Sequence, residues 1–134
     1  MLLVAAEQVT EEAFAETVIL LLHYDTDGAI GVAINRPTWV STREVFPDFS
    51  YLRAYRGRVF HGGPVAQATV LVLSRRTARN SDDQPLVDDV YMNSDPALLE
   101  AEFDAFEDDD DVLRFYAGHA TWRPNCRPTC VTRW

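Results

Sequence analysis

The sequence predicts an α+β fold, a single domain in which several strands combine with a few short helices. The clearest signal is a hairpin at Thr17–Pro37, where the apolar run Val18–Leu22 indicates a strand buried on both faces. Ala29–Ile34 predicts the partner strand, and Ala68–Leu73 and Val112–Ala117 predict two more. A chain of 134 residues buries roughly two thirds of its unfolded surface, so this fold needs no disulfide or metal.

Turn residues separate the two strands of the hairpin. Asp25-Thr26-Asp27-Gly28 is typical of a turn, and Gly28 is free to take a positive φ. Pro37 ends the hairpin, since it donates no hydrogen bond to a strand ladder. Leu2–Ala5 predicts a first strand, and Val59-Phe60 predicts a brief strand after the irregular stretch Asp48–Arg58.

Helix signals occur at three places. Thr10 is placed to cap a helix that begins at Glu11, with Phe14 as its core contact. Ser41–Glu44 fits a capping box, and Pro47 ends that helix after a turn or two. Asp95 and Pro96 open a third helix, whose apolar face comprises Leu99, Phe103 and Phe106.

A polar loop and an edge strand are expected next along the chain. Arg75–Asp83 indicates an exposed loop, and Val90–Met92 with Leu86-Val87 indicates an edge strand. Tyr51, Leu52 and Tyr55 are predicted packing residues within the irregular stretch.

Charge argues against a general phosphate-binding surface, because the net charge is −9 and all twelve basic residues are arginine. Local arginine clusters remain at Arg53–Arg58 and Arg75–Arg79. The longest apolar run, Met1–Ala6, is six residues and lacks a basic leader region, which predicts a cytoplasmic protein without a membrane span. Cys126 and Cys130 are then expected as free thiols.

Asn35-Arg36-Pro37 is the first candidate binding loop. Arg36 offers five donors in a rigid fork, which suits an anion. The structural alternative, which we favour, is that Asn35 hydrogen-bonds the backbone and Arg36 pairs with an acidic residue.

His61-Gly62-Gly63-Pro64 is the second candidate. Its main-chain N–H groups could form an anion-binding nest, although the segment lacks the lysine and glycine spacing of a phosphate-binding loop. The favoured alternative is a tight bend where the backbone passes close to a neighbour. Gly28, Gly62 and Gly63 are accordingly predicted to be structural.

Metal and catalytic signals are weak. Asp108–Asp111 lacks the spacing of a calcium loop and is expected to be solvated, and His119, Cys126 and Cys130 are loosely spaced for zinc. Candidate bases and nucleophiles form no known catalytic pattern; the bases are His23, His61 and His119, and the nucleophiles are Ser41, Ser74, Ser81 or a tail cysteine. We therefore expect no cofactor, no metal and no catalytic set.

These segments in their order and spacing resemble the YqgE/AlgH family of small bacterial proteins. The resemblance runs from about Leu2 to Trp122. It is carried by Phe14, Thr17-Val18, Gly28-Ala29, Gly31, Asn35-Arg36-Pro37, Gly62-Gly63-Pro64-Val65 and Arg114–Gly118.

The resemblance implies a partial barrel of intertwined, largely antiparallel sheets with a few flanking helices. It also implies that Asn35, Arg36, Pro37, His61, Gly62, Gly63, Pro64, Gly118 and Trp122 are surface or binding candidates. The end departs from the family pattern, because Thr121 replaces a glycine and Pro128 stands where a helix is usual. We therefore expect a domain at residues 1–122 and a divergent, truncated or frame-shifted tail at 123–134.

Three functions follow as expectations. The first is a non-enzymatic regulatory or protein-interaction module with an unknown protein partner, with self-association possible near Trp122. The second is direct DNA binding, since some family members carry the label of transcriptional regulators; the acidic charge argues against it. The third is a small-molecule-binding or hydrolytic enzyme that uses His61 and Arg36.

Overall fold

The computed structural model describes residues 1–5, 7, 9–76, 78–93, 99–101 and 113–124. The strands are β1 (Leu2–Val4), β2 (Val18–Asp25), β3 (Gly28–Ala33), β4 (Pro37–Ser41), β5 (Arg58–His61), β6 (Val65–Arg75), β7 (Val90–Asn93) and β8 (Leu113–Trp122). Helix α1 spans Thr42–Val45, and a 3₁₀ turn spans Ser50–Arg53. Strands thus dominate over short helices, which confirms the α+β class predicted from the sequence.

The strands pair in the order β1-β2-β3-β8-β5-β4, and β6 pairs with both β7 and β8. Antiparallel pairing joins β1 to β2, β2 to β3, β3 to β8 and β6 to β7. The strand β4 therefore ends the order on one side and β1 ends it on the other.

The predicted hairpin is confirmed as β2 and β3. Asp25 pairs with Gly28, and the Asp25 carboxylate accepts a hydrogen bond from the Asp27 N–H at 2.7 Å. Gly28 adopts a φ of 140°, which favours glycine because an L side chain would be strained there. A bulge between Leu21 and His23 shifts the register toward the tip of the hairpin.

The chain forms two compact units, and each has its own apolar core. The first comprises Met1–Pro37, Phe60–Val70 and the residues from Tyr116 onward. Its core lies on the hairpin, since Ile19, Leu20, Leu21 and Val32 are buried. The ring of Tyr116 packs 5.5 Å from that of Phe60.

The second unit comprises Thr38–Val59 and Leu71–Phe115. Leu52 and Tyr55 are buried, which confirms their predicted packing role. The Tyr55 hydroxyl donates a 2.5 Å hydrogen bond to the Leu113 carbonyl oxygen, and its ring lies 5.9 Å from that of Phe115. The middle of the arginine-rich stretch Arg53–Arg58 is thus turned inward at Tyr55.

Helix α1 begins at the predicted capping box. The Glu44 carboxylate accepts a hydrogen bond from the Ser41 N–H at 2.9 Å, and the helix ends before Pro47. The predicted helix at Glu11 is wrong, because the chain makes only a turn there. Glu16 follows at a φ of 55°, and the carbonyl oxygens of Glu12 and Ala15 accept hydrogen bonds from Arg36. These contacts turn the chain before a second helical turn could form.

The surface loop predicted at Arg75–Asp83 is wrong in part. Arg75 still belongs to β6, and only 7% of the Arg76 side chain is exposed. The edge strand is confirmed as β7, which pairs with β6, while Val87 makes only an isolated bridge to Val90. The predicted starts at Asp95 and Pro96, the acidic run Asp108–Asp111 and most of the tail lie outside the described residues; Leu99–Ala101 is helical.

Candidate functional site

Asn35 lies just beyond β3 and is held by the main chain of an adjacent turn. Its Oδ1 accepts a hydrogen bond from the Val18 N–H, and its Nδ2 donates one to the Glu16 carbonyl oxygen, both at 2.9 Å. Both ends of the amide are therefore used to fix the entry to β2. This confirms the favoured interpretation that Asn35 hydrogen-bonds the backbone.

Arg36 is held by the same turn. Its Nη2 donates to the carbonyl oxygens of Glu12 and Ala15, at 2.8 and 2.9 Å. The prediction that Arg36 pairs with an acidic residue is therefore wrong, because its partners are main-chain carbonyl oxygens. A guanidinium serves here because its donors diverge in one plane and reach two acceptors at once.

The segment His61-Gly62-Gly63-Pro64 threads between other main-chain segments. The His61 N–H donates to the Arg36 carbonyl oxygen, and the Gly62 N–H donates to the Ala117 carbonyl oxygen, both at 2.8 Å. The Gly62 carbonyl oxygen in turn accepts from the Ala33 N–H at 2.8 Å. The predicted close backbone approach is confirmed, and two of the N–H groups that an anion nest would offer are already donated.

Contact between this segment and β8 is closer than any side chain would allow. A Cβ on Gly62 would lie 2.3 Å from the Gly118 carbonyl oxygen, and one on Gly63 would lie 2.3 Å from the His119 carbonyl carbon. Gly118 itself has a φ of 74°. The structural role predicted for Gly62 and Gly63 thus has a steric cause.

Trp122 ends β8 and packs on the turn that Arg36 holds. Its ring lies 6.1 Å from that of Phe14, which supports the predicted core contact of Phe14. Its main chain pairs with Ala29 of the hairpin. Pro37 and Pro64 are exposed at the ends of this region.

The candidate residues from Asn35 to Trp122 therefore lie in one unit of the chain. They are brought together by β3, β5 and β8; Asn35 and Arg36 bind main-chain groups through their side chains, and His61 and Gly62 bind them through their own main chain. In the residues that the structure describes, no group of three His, Cys, Asp or Glu could hold a metal ion. Cys126 and Cys130, which were weighed with His119 as zinc ligands and not favoured, lie outside those residues.

His23, a candidate base, lies beside an acidic partner on the exposed hairpin. Its Nε2 is 2.5 Å from the Asp25 carboxylate. That hydrogen bond, followed by the one from the Asp27 N–H, lowers the pKa of Asp25. Both side chains are well exposed, so the pair contributes little to stability.

The arginine cluster Arg75–Arg79 is engaged by acidic and aromatic neighbours. Arg76 forms an ion pair with Asp83 and stacks 4.0 Å above the Tyr91 ring, while Arg75 pairs with Asp89 at 3.2 Å. The hydrogen bond from Arg76, with one from the Arg79 N–H, lowers the pKa of Asp83 to about 2. Charge in this cluster is thus largely neutralised.

Sequence reasoning missed an exposed surface that is formed by β4 together with one residue each of α1 and β5. Trp39 is 88% exposed, and the Arg58 guanidinium lies 4.7 Å from the centre of its ring. Val40 and Val45 are also exposed, at 44% and 39%. We call Trp39, Val40, Val45 and Arg58 the β4 surface. The available signal was a tryptophan two residues after Pro37, with Thr38 between them.

The family model described as DUF179, AlgH-like, matches residues 2–125 of the chain. The chain belongs to the AlgH-like family. The predicted resemblance is confirmed, and the candidate residues at Asn35–Pro37, His61–Pro64 and Gly118–Trp122 all lie within the matched part.

Similar relatives of this AlgH-like protein are named UPF0301 proteins. It is 33% identical over 132 residues to the UPF0301 protein SCO2948 of Streptomyces coelicolor, covering 92% of this chain and 65% of the relative. It is 32% identical to a UPF0301 protein of Rhodococcus erythropolis, covering 90% of this chain and 61% of the relative. The chain thus spans somewhat less than two thirds of these curated relatives.

Two solved structures share the fold. The crystal structure of protein DIP2367 from Corynebacterium diphtheriae superposes with a TM-score of 0.71 at 26% identity, covering 92% of this chain and 65% of that one. The solution structure of the AlgH protein from Pseudomonas aeruginosa gives a TM-score of 0.65 at 23% identity, covering 92% and 66%. Among the described residues, no helix is long and apolar enough to cross a membrane.

Proposed function

We propose that this AlgH-like protein is a non-enzymatic protein-interaction module of the cytoplasm that receives its partner on the β4 surface. The exposure of Trp39 is the observation that supports this proposal. Tryptophan is enriched where protein interfaces have their strongest contacts, because it buries a large area with few rotatable bonds. A side chain of this size left 88% exposed has most of that area available to a partner.

The state of the other candidates supports a non-enzymatic role. The guanidinium of Arg36 and the amide of Asn35 are committed to main-chain groups. Both N–H groups of the Arg36 Nη2 serve main-chain carbonyl oxygens, which favours a structural role of this side chain over a catalytic one.

Direct DNA binding is the second candidate, favoured by the exposed arginines Arg53, Arg56 and Arg58. Against it stand the net charge of −9 and the ion pairs of Arg75 and Arg76. If the protein acts in transcription, we therefore propose that it does so through a protein partner.

Affinity capture from the host's cytosol, with quantitative mass spectrometry, tests the proposal. We expect a protein that is enriched by the wild-type chain and lost with Trp39→Ala. Tyr24→Ala is the matched control, because Tyr24 is another exposed aromatic residue, at 71%, on the hairpin. Equal capture by Trp39→Ala and wild type would contradict the proposed surface, and nuclease-sensitive capture would favour the DNA candidate.

A further inference from the structure

Resting on this proposed function, we infer that β4 receives an extended, acidic segment of the partner protein, which pairs with its open edge as an added strand. Extended peptides commonly bind in this way to a free sheet edge, where main-chain hydrogen bonds supply affinity and side chains supply selectivity. The edge, its two faces and its charge each support the inference.

The open edge of β4 follows from its hydrogen bonds. β4 ends the strand order, and its other neighbour is β5. The Arg36 carbonyl oxygen accepts from the His61 N–H, and the Thr42 N–H donates to the Gly57 carbonyl oxygen. Since main-chain groups alternate in direction along a strand, those of Pro37, Trp39 and Ser41 point away from β5.

The groups on this edge define where a partner strand can pair. Pro37 has no N–H, and the Ser41 N–H is donated to the Glu44 carboxylate at 2.9 Å. Within β4, Trp39 is thus the residue that turns both an N–H and a C=O outward without such an obstacle. An antiparallel segment would exchange two hydrogen bonds with Trp39, which sets its register.

Both faces of β4 are open to a partner's side chains. Successive side chains alternate across a strand, so Trp39 and Val40 lie on opposite faces. They are 88% and 44% exposed. A segment beside β4 would therefore find an apolar contact on each face, and the indole would cover one of its side chains.

Charge selects an acidic segment. The stretch Thr38–Val59 holds four arginines and two acidic residues, a net charge of +2 in a chain of −9. The four arginines, Arg43, Arg53, Arg56 and Arg58, are exposed, and one of the two acids, Glu44, is engaged in the capping box. Of these arginines, Arg58 stands at the edge itself, 4.7 Å from the Trp39 ring. At physiological salt, charges interact mainly within about 8 Å, so Arg58 favours an acidic side chain beside Trp39.

The same observations disfavour two other occupants. Pairing of β4 with β4 of a second copy would bring the two sets of arginines together, which costs energy. A nucleic acid has no peptide groups to exchange with Trp39, so it would leave the edge unpaired.

Fluorescence anisotropy with defined peptides tests the inference. The probe is a labelled peptide in which glutamate alternates with valine. One matched peptide carries lysine in place of glutamate, and another carries N-methyl groups that remove the donors of one edge. We expect saturable binding of the acidic probe, and binding at least about tenfold weaker for each matched peptide.

Protein variants locate the binding. Trp39→Ala and Arg58→Glu should each weaken the acidic probe about tenfold or more, while Tyr24→Ala and Arg123→Glu should leave it unchanged. Arg123 is exposed and lies in the other unit. Arg123→Glu therefore changes the net charge by the same amount as Arg58→Glu but leaves the β4 surface unaltered. Hydrogen exchange should show the Trp39 amide gaining protection when the probe binds. Circular dichroism checks that each variant is folded.

Several results would overturn the inference. These are a failure of the acidic probe to bind, equal binding of the N-methylated peptide, or an unchanged Trp39 amide. A dimer seen by sedimentation and abolished by Trp39→Ala would assign the surface to a second copy. If the acidic probe fails while cellular capture still depends on Trp39, the proposed function stands and the acidic strand is rejected.

Discussion

Gly118 and Gly63 lie so close that a Cβ on Gly118 would come within 2.5 Å of the Gly63 carbonyl oxygen. That separation is well inside van der Waals contact, and the obstacle is backbone rather than a movable side chain. The φ of 74° at Gly118 adds a conformational reason for glycine. The two glycines therefore allow the main chain of β8 to contact the main chain of the segment after β5 directly, with no side chain between them.

Gly118→Ala should destabilise the fold by more than about 1 kcal/mol, because a positive φ and a main-chain clash act together. Chemical denaturation measures the change. Ala66→Gly is the control, since Ala66 is exposed with a φ of 49° and glycine there relieves strain. The control should be as stable as wild type or more so; a Gly118→Ala protein of wild-type stability would contradict the steric argument.

Arg36→Lys should lower stability by about 1 kcal/mol, and Arg36→Ala by about 1–3 kcal/mol. A lysine ammonium lacks the planar fork that reaches both Glu12 and Ala15, and alanine leaves both carbonyl oxygens without this donor. Urea unfolding measures both variants, with the exposed Arg123→Ala as control. If Arg36→Ala were as stable as the wild type, the hydrogen bonds of Arg36 would not stabilise the fold, and a ligand-binding role would be favoured instead.

Asp83 should make stability depend on pH in the acidic range. Its folded pKa is about 2 against an ordinary 3.8, chiefly because Arg76 hydrogen-bonds the carboxylate. A depressed pKa stabilises the fold fully above 3.8, and that contribution is lost as pH falls through about 2. The melting temperature of the wild type should therefore be higher than that of Asp83→Asn at neutral pH. The difference between the two melting temperatures should disappear on acidification.

Thermal unfolding followed by circular dichroism across this pH range checks the result. Asp82→Asn is the matched control, because it removes one negative charge from the same loop at an exposed position. A gap that stays constant from neutral pH to about 2 would show that the Arg76–Asp83 pair does not stabilise the fold.

The protein should not bind duplex DNA directly at physiological salt, since the net charge is −9 and Arg75 and Arg76 are paired. Anisotropy with random and genomic duplexes measures this. Tight, salt-sensitive binding that is lost on replacing Arg53, Arg56 and Arg58 would contradict it and move the function to DNA.

Local signals in the sequence were reliable where one short segment contains the cause. The hairpin from Val18 to Ala33 follows from its apolar runs and the Asp25–Gly28 turn, and helix α1 follows from the capping box at Ser41 and Glu44. The helix expected at Glu11 stops after one turn, where Glu16 adopts a φ of 55°. The carbonyl oxygens of Glu12 and Ala15 are satisfied there by Arg36, which lies far along the chain and which no local pattern reveals.

By itself, the sequence determined the α+β class and the family, and it singled out Gly118, Arg36 and the arginine cluster at Arg75–Arg79. Tertiary structure decided which contacts those residues make. Arg36 donates hydrogen bonds to main-chain carbonyl oxygens, Gly118 allows the close approach of the Gly63 carbonyl oxygen, and Arg76 stacks on the Tyr91 ring. It also decided that Trp39 is exposed, because β4 is left at the end of the strand order. Periodicity and turn chemistry act between near neighbours, whereas exposure and main-chain partners depend on which distant strands come to lie side by side.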